Sequence, residues 1–275
     1  MALSITSLGG HMAAAAVGID LNAAPDAALA TALRRAILDN LVLCIRGQAL
    51  DPIGYRNAMR LFGTPLIRRQ TSQHPEVAEI NIISSEDKDV LGDGKRLVNG
   101  ALWHTDDSFM AMPCSLTMLY GVEVPPVGGD TQFTNMYAAY DALPAQLKRR
   151  IADLRVLHKW DSSRKGTRVA TLAGAMPDAT HPLVRTHPET GRKSLYLNPN
   201  RMEQIVGLDR ADSDALLDEL IAHAIQPRHQ YRHKWRQGDI VIWDNRCTMH
   251  KANADYPAGA RRFMHRIVIE GTVPV

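Results

Sequence analysis

The sequence predicts an α+β fold that is mostly β, with a few helices at its periphery. Short apolar runs bounded by glycine, proline or aspartate recur along the chain and are typical of strands. Only a few stretches repeat apolar residues at helical spacing. The length of 275 residues and the hydrophobic content of 45% suit one large core, because β sandwiches and barrels often reach this size as one domain. We therefore expect a single domain over residues 1–275.

The first third of the chain predicts two helices and two strands. Residues 27–39 place Leu29, Leu33 and Ile37 on one helical face. Residues 51–61 form a second helix, with Asp51 as its cap and Pro52 in its first turn. Apolar runs at 41–45 and 79–83 predict buried strands. Residues 85–100 are rich in charge and glycine, so we expect a flexible loop that acts as an active-site lid.

The rest of the chain predicts further strands and three helices. Residues 137–154 have a helical pattern that Pro144 divides, so two helices are expected there, the second starting at this proline. Residues 180–198 contain a turn at 188–191 and predict a hairpin. Residues 209–225 predict a helix with Leu216, Leu217 and Leu220 facing the core. Strands are predicted at 115–124, 132–135, 239–243 and 263–269.

The stretch Trp103-His104-Thr105-Asp106 is the most informative for function. In a strand, residues i and i+2 point the same way, so His104 and Asp106 would share one face. His250 lies far downstream and would join them from another strand or loop. Two imidazoles and one carboxylate are the ligand set of non-haem Fe(II) oxygenases, although Zn(II) and Mn(II) also accept it. Alone this pattern is weak evidence, because the chain has eleven histidines.

The stretches around this pattern give it a context. LWHTDDSF begins at Leu102, PPVGGDTQFTNM follows it, HPLVRTHPETGRKSLYLN lies in the middle, and GDIVIWDNRCTMHKANADY precedes ARRFMHR. Together these stretches resemble the taurine and chlorophenoxyacetate dioxygenase family of Fe(II)/2-oxoglutarate-dependent oxygenases, from about Gly18 to Gly271. The resemblance implies a double-stranded β-helix, or jelly roll, and a requirement for Fe(II), 2-oxoglutarate and O2. It also implies a role for each matching residue: His104, Asp106 and His250 as iron ligands, Thr131 and Arg262 as 2-oxoglutarate contacts, and Arg266 as a contact of the other co-substrate carboxylate or of an anionic substrate.

One position within this resemblance stays open. The loop from His250 to the arginine pair is one residue longer than the family pattern, so Arg261 and Arg262 compete for the distal carboxylate of 2-oxoglutarate. In a strand the two would face opposite sides. The i, i+4 relation between Arg262 and Arg266 keeps them on one face and favours Arg262. Just before His250, we expect Asp244 or Asn245 to orient a metal ligand.

The resemblance implies a small anionic substrate, of the aryloxyalkanoate or sulfonate type. GRKSLYLN looks closer to the aryloxyalkanoate branch and NADY closer to the taurine branch. Candidate substrate contacts are Asn99, Trp103, Phe109 and Arg266. The alternative interpretations are a turn role for Asn99 and packing roles for the two aromatic residues. The alternatives are a biosynthetic desaturation, epoxidation or hydroxylation with the same cofactors, and a non-catalytic small-molecule-binding barrel. A zinc hydrolase would leave Thr131 and Arg262 without a role.

Composition narrows the protein class. The net charge is only +3 and basic residues are scattered among acids, which does not indicate a nucleic-acid partner. The cysteines are odd in number, widely separated and without a CxxC motif, so we expect buried free thiols in a cytoplasmic enzyme. No apolar run is long enough to cross a membrane. The family suggests a homo-oligomer, either a dimer or a tetramer.

Overall fold

The computed structural model describes residues 3–9, 12–23, 26–68, 72–85, 100–164, 176–257 and 259–275. Over these ranges the chain is mostly sheet with a few helices, as predicted. Asn99 and nearly all of the predicted lid (86–99) lie outside the described residues. The helices are α1 (Ala27–Asn40), α2 (Pro52–Met59), α3 (Met136–Asp141), α4 (Ala145–Ile151) and α5 (Arg210–Ala224), and 3₁₀ turns span Arg60–Phe62 and Pro227–His229. The strands are β1 (Ser4–Ser7), β2 (Ala14–Val17), β3 (Val42–Ile45), β4 (Asn81–Ser84), β5 (Leu116–Glu123), β6 (Thr131–Asn135), β7 (Arg155–His158), β8 (Ala179–Pro182), β9 (Val184–Thr186), β10 (Lys193–Leu195), β11 (Met202–Ile205), β12 (Gln230–His233), β13 (Ile240–Asp244), β14 (Thr248–Ala252) and β15 (Phe263–Ile269).

The largest sheet has the strand order β1-β2-β3-β13-β5-β15-β4, and within it β2 and β3 are parallel while the other pairs are antiparallel. Its two faces follow the alternation of side chains along each strand. On β5, Leu116 and Met118 pack into a cluster with residues of α1 and α2. Leu119 points to the opposite face, into a second cluster that contains Trp243. The helices therefore cover one face of this sheet.

A smaller antiparallel sheet, β12-β6-β14, faces the uncovered side of the large sheet. Phe133 of β6 packs edge-on against Trp243 of β13, with ring centroids 5.4 Å apart. Met249 of β14 points the other way, into a third cluster with Leu217 and Leu220 of α5. The space between the two facing sheets is where the predicted site residues of β6, β14 and β15 meet.

The two predicted N-terminal helices begin where their caps place them. The Asp26 carboxylate accepts from the backbone N–H of Leu29, and Asp51 accepts from that of Gly54, which satisfies donors that the first turn leaves unpaired. The second helix is shorter than predicted. It ends at Met59 and continues as a 3₁₀ turn to Gly63, where a Cβ would lie 2.6 Å from the Ile269 side chain.

Most predicted strands are present, and the hairpin is confirmed as the pair β9–β10. The prediction omitted β1, β2, β7, β11, β12 and β14. The three cysteines are free and buried, as predicted. Among the helices of the described residues, none has the length and apolar character needed to span a bilayer.

Candidate metal and 2-oxoglutarate site

His104 and His250 are joined through their backbones. The two residues form an isolated antiparallel bridge, with His104 N–H donating to His250 O (2.9 Å) and His250 N–H donating to His104 O (2.8 Å). Because residues paired in this way project side chains to the same side, the imidazole rings lie 4.1 Å apart between centroids. Two histidines that are far apart in sequence are thus brought side by side by main-chain hydrogen bonds.

Asp106 reaches the same point by a route that differs from the prediction. Only His104 has strand pairing, and a turn with Asp107 at φ 55° follows it, so strand alternation does not orient Asp106. Its carboxylate nevertheless lies 3.9 Å (Oδ1) from Nε2 of His104 and 3.8 Å (Oδ2) from Nε2 of His250. All three donor atoms lie within 4.8 Å of one another.

The protonation states of these groups suit a cation. Nδ1 of His104 donates to the carbonyl of Leu102 (2.7 Å), so Nε2 carries the lone pair that faces Asp106. Burial lowers the pKa of His104, and burial together with His104 lowers that of His250 further, so both rings are neutral at neutral pH. Burial alone would raise the pKa of Asp106, but the charge of Arg266 and the hydrogen bond from Thr117 hold it well below its usual range. A lone pair and a carboxylate therefore face each other, beyond hydrogen-bonding distance.

Two side chains hold the Asp106 carboxylate. Thr117 on β5 donates to Oδ2 (2.6 Å), and Nη2 of Arg266 on β15 lies 3.2 Å from Oδ1. Burial alone would lower the pKa of Arg266, but the Asp106 carboxylate raises it above its ordinary value. Arg266 thus lies beside the three donor residues, in contact with one of them.

The turn that carries Asp106 is fixed from two further directions. Nδ2 of Asn198 donates to the carbonyl of Thr105 (2.7 Å) and to Oγ of Ser108 (2.8 Å). On the other side, Asn245 accepts the Asp106 backbone N–H at 3.3 Å. Of the two residues expected to orient a ligand, Asn245 makes this contact. Asp244 instead binds His187 and Arg246.

Thr131 and Arg262 lie on either side of a tight glycine turn. Thr131 is buried on β6, and its hydroxyl accepts from Nε1 of Trp235 (3.0 Å). Nε of Arg262 donates to the carbonyl of Gly129 (3.0 Å), two residues before Thr131. Gly129 has φ 70°, and a Cβ there would come within 2.8 Å of Pro125 and 3.3 Å of Arg262. The glycine therefore permits the close approach of Arg262 to β6.

The structure distinguishes the two neighbouring arginines. Arg262 is 5% exposed, and burial lowers its pKa to about 10. Among the described residues no carboxylate forms an ion pair with it. Arg261 has a side chain 57% exposed, with Nε 3.2 Å from Glu123. Arg262 is thus the buried cation of the pair.

A third arginine lies near the site. This residue is Arg201, and its guanidinium lies 4.0 Å from the ring centroid of Trp160 and 5.8 Å from that of Phe109. Burial lowers the pKa of Arg201 to about 10, although the nearby acids Asp107 and Asp161 act in the opposite direction, and the charge of Arg201 contributes to lowering the pKa of His104. Phe109, one of the predicted substrate contacts, therefore belongs to an aromatic and cationic group beside the three donor residues.

Two further residues near the site have clear surroundings. Trp103 packs against the cluster under α5, and Lys251 lies 5.3 Å over its ring. Since Lys251 and Met249 occupy the face of β14 opposite His250, this position favours the packing role of Trp103. Arg68 pairs with Asp107 at 2.7 Å and is only 14% exposed, so it adds a largely buried cation next to the turn that carries Asp106.

Two other groups in the described chain bring three metal-type donors together. In one, His233 binds Asp239 through Nε2 and Tyr231 through Nδ1. In the other, Nδ1 of His187 accepts hydrogen bonds from backbone N–H groups and Nε2 binds Asp244. The Asp244 carboxylate also accepts a hydrogen bond from Arg246. Because their imidazole nitrogens are already used within the protein, these groups fit a metal less well than His104, Asp106 and His250.

Sequence reasoning missed Thr117 and Arg201. Thr117 is the one polar residue within the apolar run Leu116–Tyr120, and a polar side chain on the inner face of a buried strand is a signal that could have found it. Arg201 follows the Asn198-Pro199-Asn200 turn, and nothing in its spacing connects it to His104.

Comparison with known proteins gives the context of this site. The model of the family described as "Taurine catabolism dioxygenase TauD, TfdA family" matches residues 4–268. The chain is 37% identical over 269 residues to the alpha-ketoglutarate-dependent 2,4-dichlorophenoxyacetate dioxygenase of Cupriavidus pinatubonensis, covering 92% of this chain and 93% of that protein. It is 37% identical over 251 residues to pentalenolactone F synthase of Streptomyces arenae, covering 83% and 82%. The crystal structure of AAD-2 in complex with Mn(II) and N-oxalylglycine superposes with a TM-score of 0.84 at 31% identity, over 100% of this chain and 99% of that one.

Proposed function

Because the chain belongs to the TauD/TfdA dioxygenase family, we propose that it is an Fe(II)- and 2-oxoglutarate-dependent dioxygenase that hydroxylates a small anionic organic substrate and releases succinate and CO2. The observation that carries this proposal is the arrangement of His104, Asp106 and His250. Three donor atoms lie within 4.8 Å of one another, and their distances exclude hydrogen bonds between them. A divalent cation at their centre would satisfy all three.

The donor set fits Fe(II). Two neutral imidazoles and an ionised carboxylate match the ligand types of non-haem Fe(II) oxygenases and leave coordination positions for other ligands. Metal binding requires deprotonated ligands, and the lowered pKa values of His104, His250 and Asp106 meet that condition. When bound, Fe(II) and 2-oxoglutarate together supply the oxidising chemistry that consumes O2 and converts the keto acid to succinate and CO2.

Arg262 is the proposed partner of the distal carboxylate of 2-oxoglutarate, with Thr131 beside it. A guanidinium presents paired N–H donors that match two carboxylate oxygens. Arg262 is buried and has no ion pair among the described residues, so an incoming carboxylate would offset the cost of burying its charge. Its Nε is held by Gly129, which fixes the side chain before any ligand binds. Arg266 sits next to Asp106, nearer to the metal ligands.

Positive charge around the site supports an anionic substrate. Arg266 contacts the Asp106 carboxylate, and the charge of Arg201 contributes to lowering the pKa of His104. The aromatic rings of Phe109 and Trp160 lie beside Arg201, so this region offers both an apolar surface and a cation. An aryloxyalkanoate carries an aromatic ring and a carboxylate and would match both. A sulfonate would use the cation alone. We therefore propose the aryloxyalkanoate type first.

A biosynthetic oxidation is the second candidate function. The identity of 37% to pentalenolactone F synthase equals that to the dichlorophenoxyacetate enzyme, so identity alone does not choose between them. Both candidates use the same metal and co-substrate residues. They differ in product, which is a hydroxylated and cleaved acid in one case and a desaturated, epoxidised or hydroxylated natural product in the other.

The finer fold class is also a proposal. We propose a double-stranded β-helix in a single domain over residues 1–275, and the two facing sheets with the donor residues between them support it. The homo-oligomeric state and the cytoplasmic location stay predictions, as does a role for Asn99 and for the lid.

The test uses purified protein reconstituted without oxygen. Adding Fe(II) and then 2-oxoglutarate should give the visible absorption band of the chelated metal, and admitting O2 should produce succinate. A panel of aryloxyalkanoates, sulfonates and other small acids should raise succinate formation above the uncoupled rate for at least one compound, with the product identified by mass spectrometry. If no member of the panel raises the rate, the anionic-substrate proposal fails. If the protein consumes no O2 with Fe(II) restored, the dioxygenase proposal itself fails.

A further inference from the structure

Asn245 connects the two segments that carry the donor residues. It lies in the loop between β13 and β14, five positions before His250, and is 2% exposed. Its Oδ1 accepts the backbone N–H of Asp106 (3.3 Å) and its backbone carbonyl accepts the hydroxyl of Thr105 (2.9 Å). The segment before His250 is therefore bonded directly to the turn that carries Asp106.

The orientation of the Asn245 amide follows from its neighbours. Oδ1 faces two N–H donors, the backbone of Asp106 and Nε1 of Trp243 (3.1 Å). Neither donor can accept a hydrogen bond, so the amide oxygen must lie on that side. Nδ2 therefore faces Oγ1 of Thr117 (2.8 Å) and Sγ of Cys114 (3.4 Å).

This orientation determines where the Thr117 proton points. The hydroxyl of Thr117 accepts from Asn245, and its single proton is left for Oδ2 of Asp106 at 2.6 Å. Arg266 contacts the other oxygen, Oδ1. A carboxylate contacted on both oxygens by different partners cannot rotate freely about its Cβ–Cγ bond, and hydrogen bonds to an ionised group are the stronger kind.

We propose that Asn245 and Thr117 are positioning residues for the metal site, which hold the Asp106 carboxylate in the orientation that His104 and His250 require. This inference rests on the proposed function and adds to it the residues that prepare the site for its metal. Thr117 and Asn245 are buried at 0% and 2% exposure, so water does not replace their bonds when one is removed. Outer partners of metal ligands typically contribute about ten- to a hundredfold to metal affinity.

The experiment measures binding of Mn(II) to the full chain by titration calorimetry. Thr117→Val keeps the shape of the side chain and removes the proton that binds Asp106, and it should weaken Mn(II) binding by about tenfold or more. Thr117→Ser restores the hydroxyl and should bind Mn(II) within about twofold of the parent. Asn245→Ala should weaken binding as well, because the Thr117 proton is no longer directed. Ser115→Ala is the matched control, because it removes a neighbouring buried hydroxyl that binds Glu270 O (2.6 Å) and does not contact Asp106.

Thermal denaturation of each variant separates positioning from general damage. The expected pattern is weakened Mn(II) binding in Thr117→Val at a melting temperature similar to that of Ser115→Ala, with Ser115→Ala binding Mn(II) like the parent. If Asn245→Ala does not fold, the Thr117 series still decides. Parent-like Mn(II) affinity in Thr117→Val, or an equal loss in Thr117→Ser, would overturn the inference while leaving the proposed function intact. Absence of Mn(II) binding by the parent would instead count against the proposed function.

Discussion

Replacing Arg262 with methionine is expected to weaken 2-oxoglutarate binding without loss of stability. Burial lowers the pKa of this arginine from its ordinary 12.5 to about 10, which corresponds to a cost of about 3 kcal/mol for keeping the guanidinium charged in the folded protein. At neutral pH, below both values, the group is charged in the folded and unfolded states, so this cost applies in full. The side chain is 5% exposed, so solvent does little to reduce it.

The substitution also removes a stabilising contact. The hydrogen bond from Arg262 to the carbonyl of Gly129 contributes about 1.5–3 kcal/mol for a charged donor. Methionine fills a similar space without a charge. The two effects nearly balance, and we expect the free energy of unfolding to be unchanged or raised by up to about 2 kcal/mol. The KM for 2-oxoglutarate should rise about ten- to a hundredfold, because a charge-assisted pair with its carboxylate is lost.

Urea denaturation without ligand and succinate formation at varied 2-oxoglutarate measure the two quantities. Arg261→Met is the matched control. Its exposed pair with Glu123 contributes about 0–1 kcal/mol, and its KM should equal that of the parent. A loss of more than about 1 kcal/mol in unligated Arg262→Met would refute the argument from buried charge. A raised KM in Arg261→Met, with Arg262→Met unaffected, would show that the other arginine binds the co-substrate.

Three further predictions concern the metal ligands, a buried histidine and a glycine turn. His104→Ala should abolish turnover at a nearly unchanged melting temperature. Asp106→Ala should also lose about 3–5 kcal/mol of stability, because its buried partner Arg266 is left unpaired. Equal melting temperatures of the two variants would contradict this. Burial lowers the pKa of His158 to about 3, so below about pH 6.5 the unfolded imidazole takes up a proton that the folded one does not. The free energy of unfolding therefore falls as pH falls from about 6.5 toward 3. In urea titrations, His158→Gln should reduce that loss by about 1.4 kcal/mol per pH unit. The same pH profile in His158→Gln and in the parent would exclude this role of His158. Gly128 and Gly191 both have positive φ, but a Cβ at Gly128 would lie 2.3 Å from a backbone oxygen while a Cβ at Gly191 would face open space. Gly128→Ala should therefore lower the free energy of unfolding by about 1–3 kcal/mol more than Gly191→Ala does. Equal losses of the two variants in chemical denaturation would argue against this contact.

The elements that the sequence predicted well are those with local signals. The helices α1 and α2 start at aspartates that cap them, and the β9–β10 hairpin surrounds its predicted turn. Strands without such signals were missed. The sequence of β14, Thr-Met-His-Lys-Ala, has neither alternation nor β-branched enrichment, and it is a strand because β6 supplies its hydrogen bonds. Pairing partners that are distant in sequence cannot be read from one segment alone.

The same distinction holds for the site. The resemblance supplied His104, Asp106 and His250, and the structure brings them together. The supposed strand at 104–106 was wrong, since a turn follows the bridge, and the two main-chain bonds to His250 could not be inferred from spacing. Side-chain alternation correctly required that only one of Arg261 and Arg262 be buried. The contacts of Thr117 and Asn245 depend on three segments meeting, and no single motif contains that information.

The backbone bonds between His104 and His250 bear on which ion the protein acquires in a cell. Main-chain pairing sets the spacing of these imidazoles, so the pocket is formed by folding and does not adapt itself to one metal. A fixed set of nitrogen and oxygen donors ranks divalent ions by the Irving–Williams series, in which copper, nickel and zinc all exceed ferrous iron. Correct loading then depends on iron being far more abundant than its competitors where the chain folds, and we expect overexpressed protein to gain turnover when its metal is stripped and replaced with Fe(II).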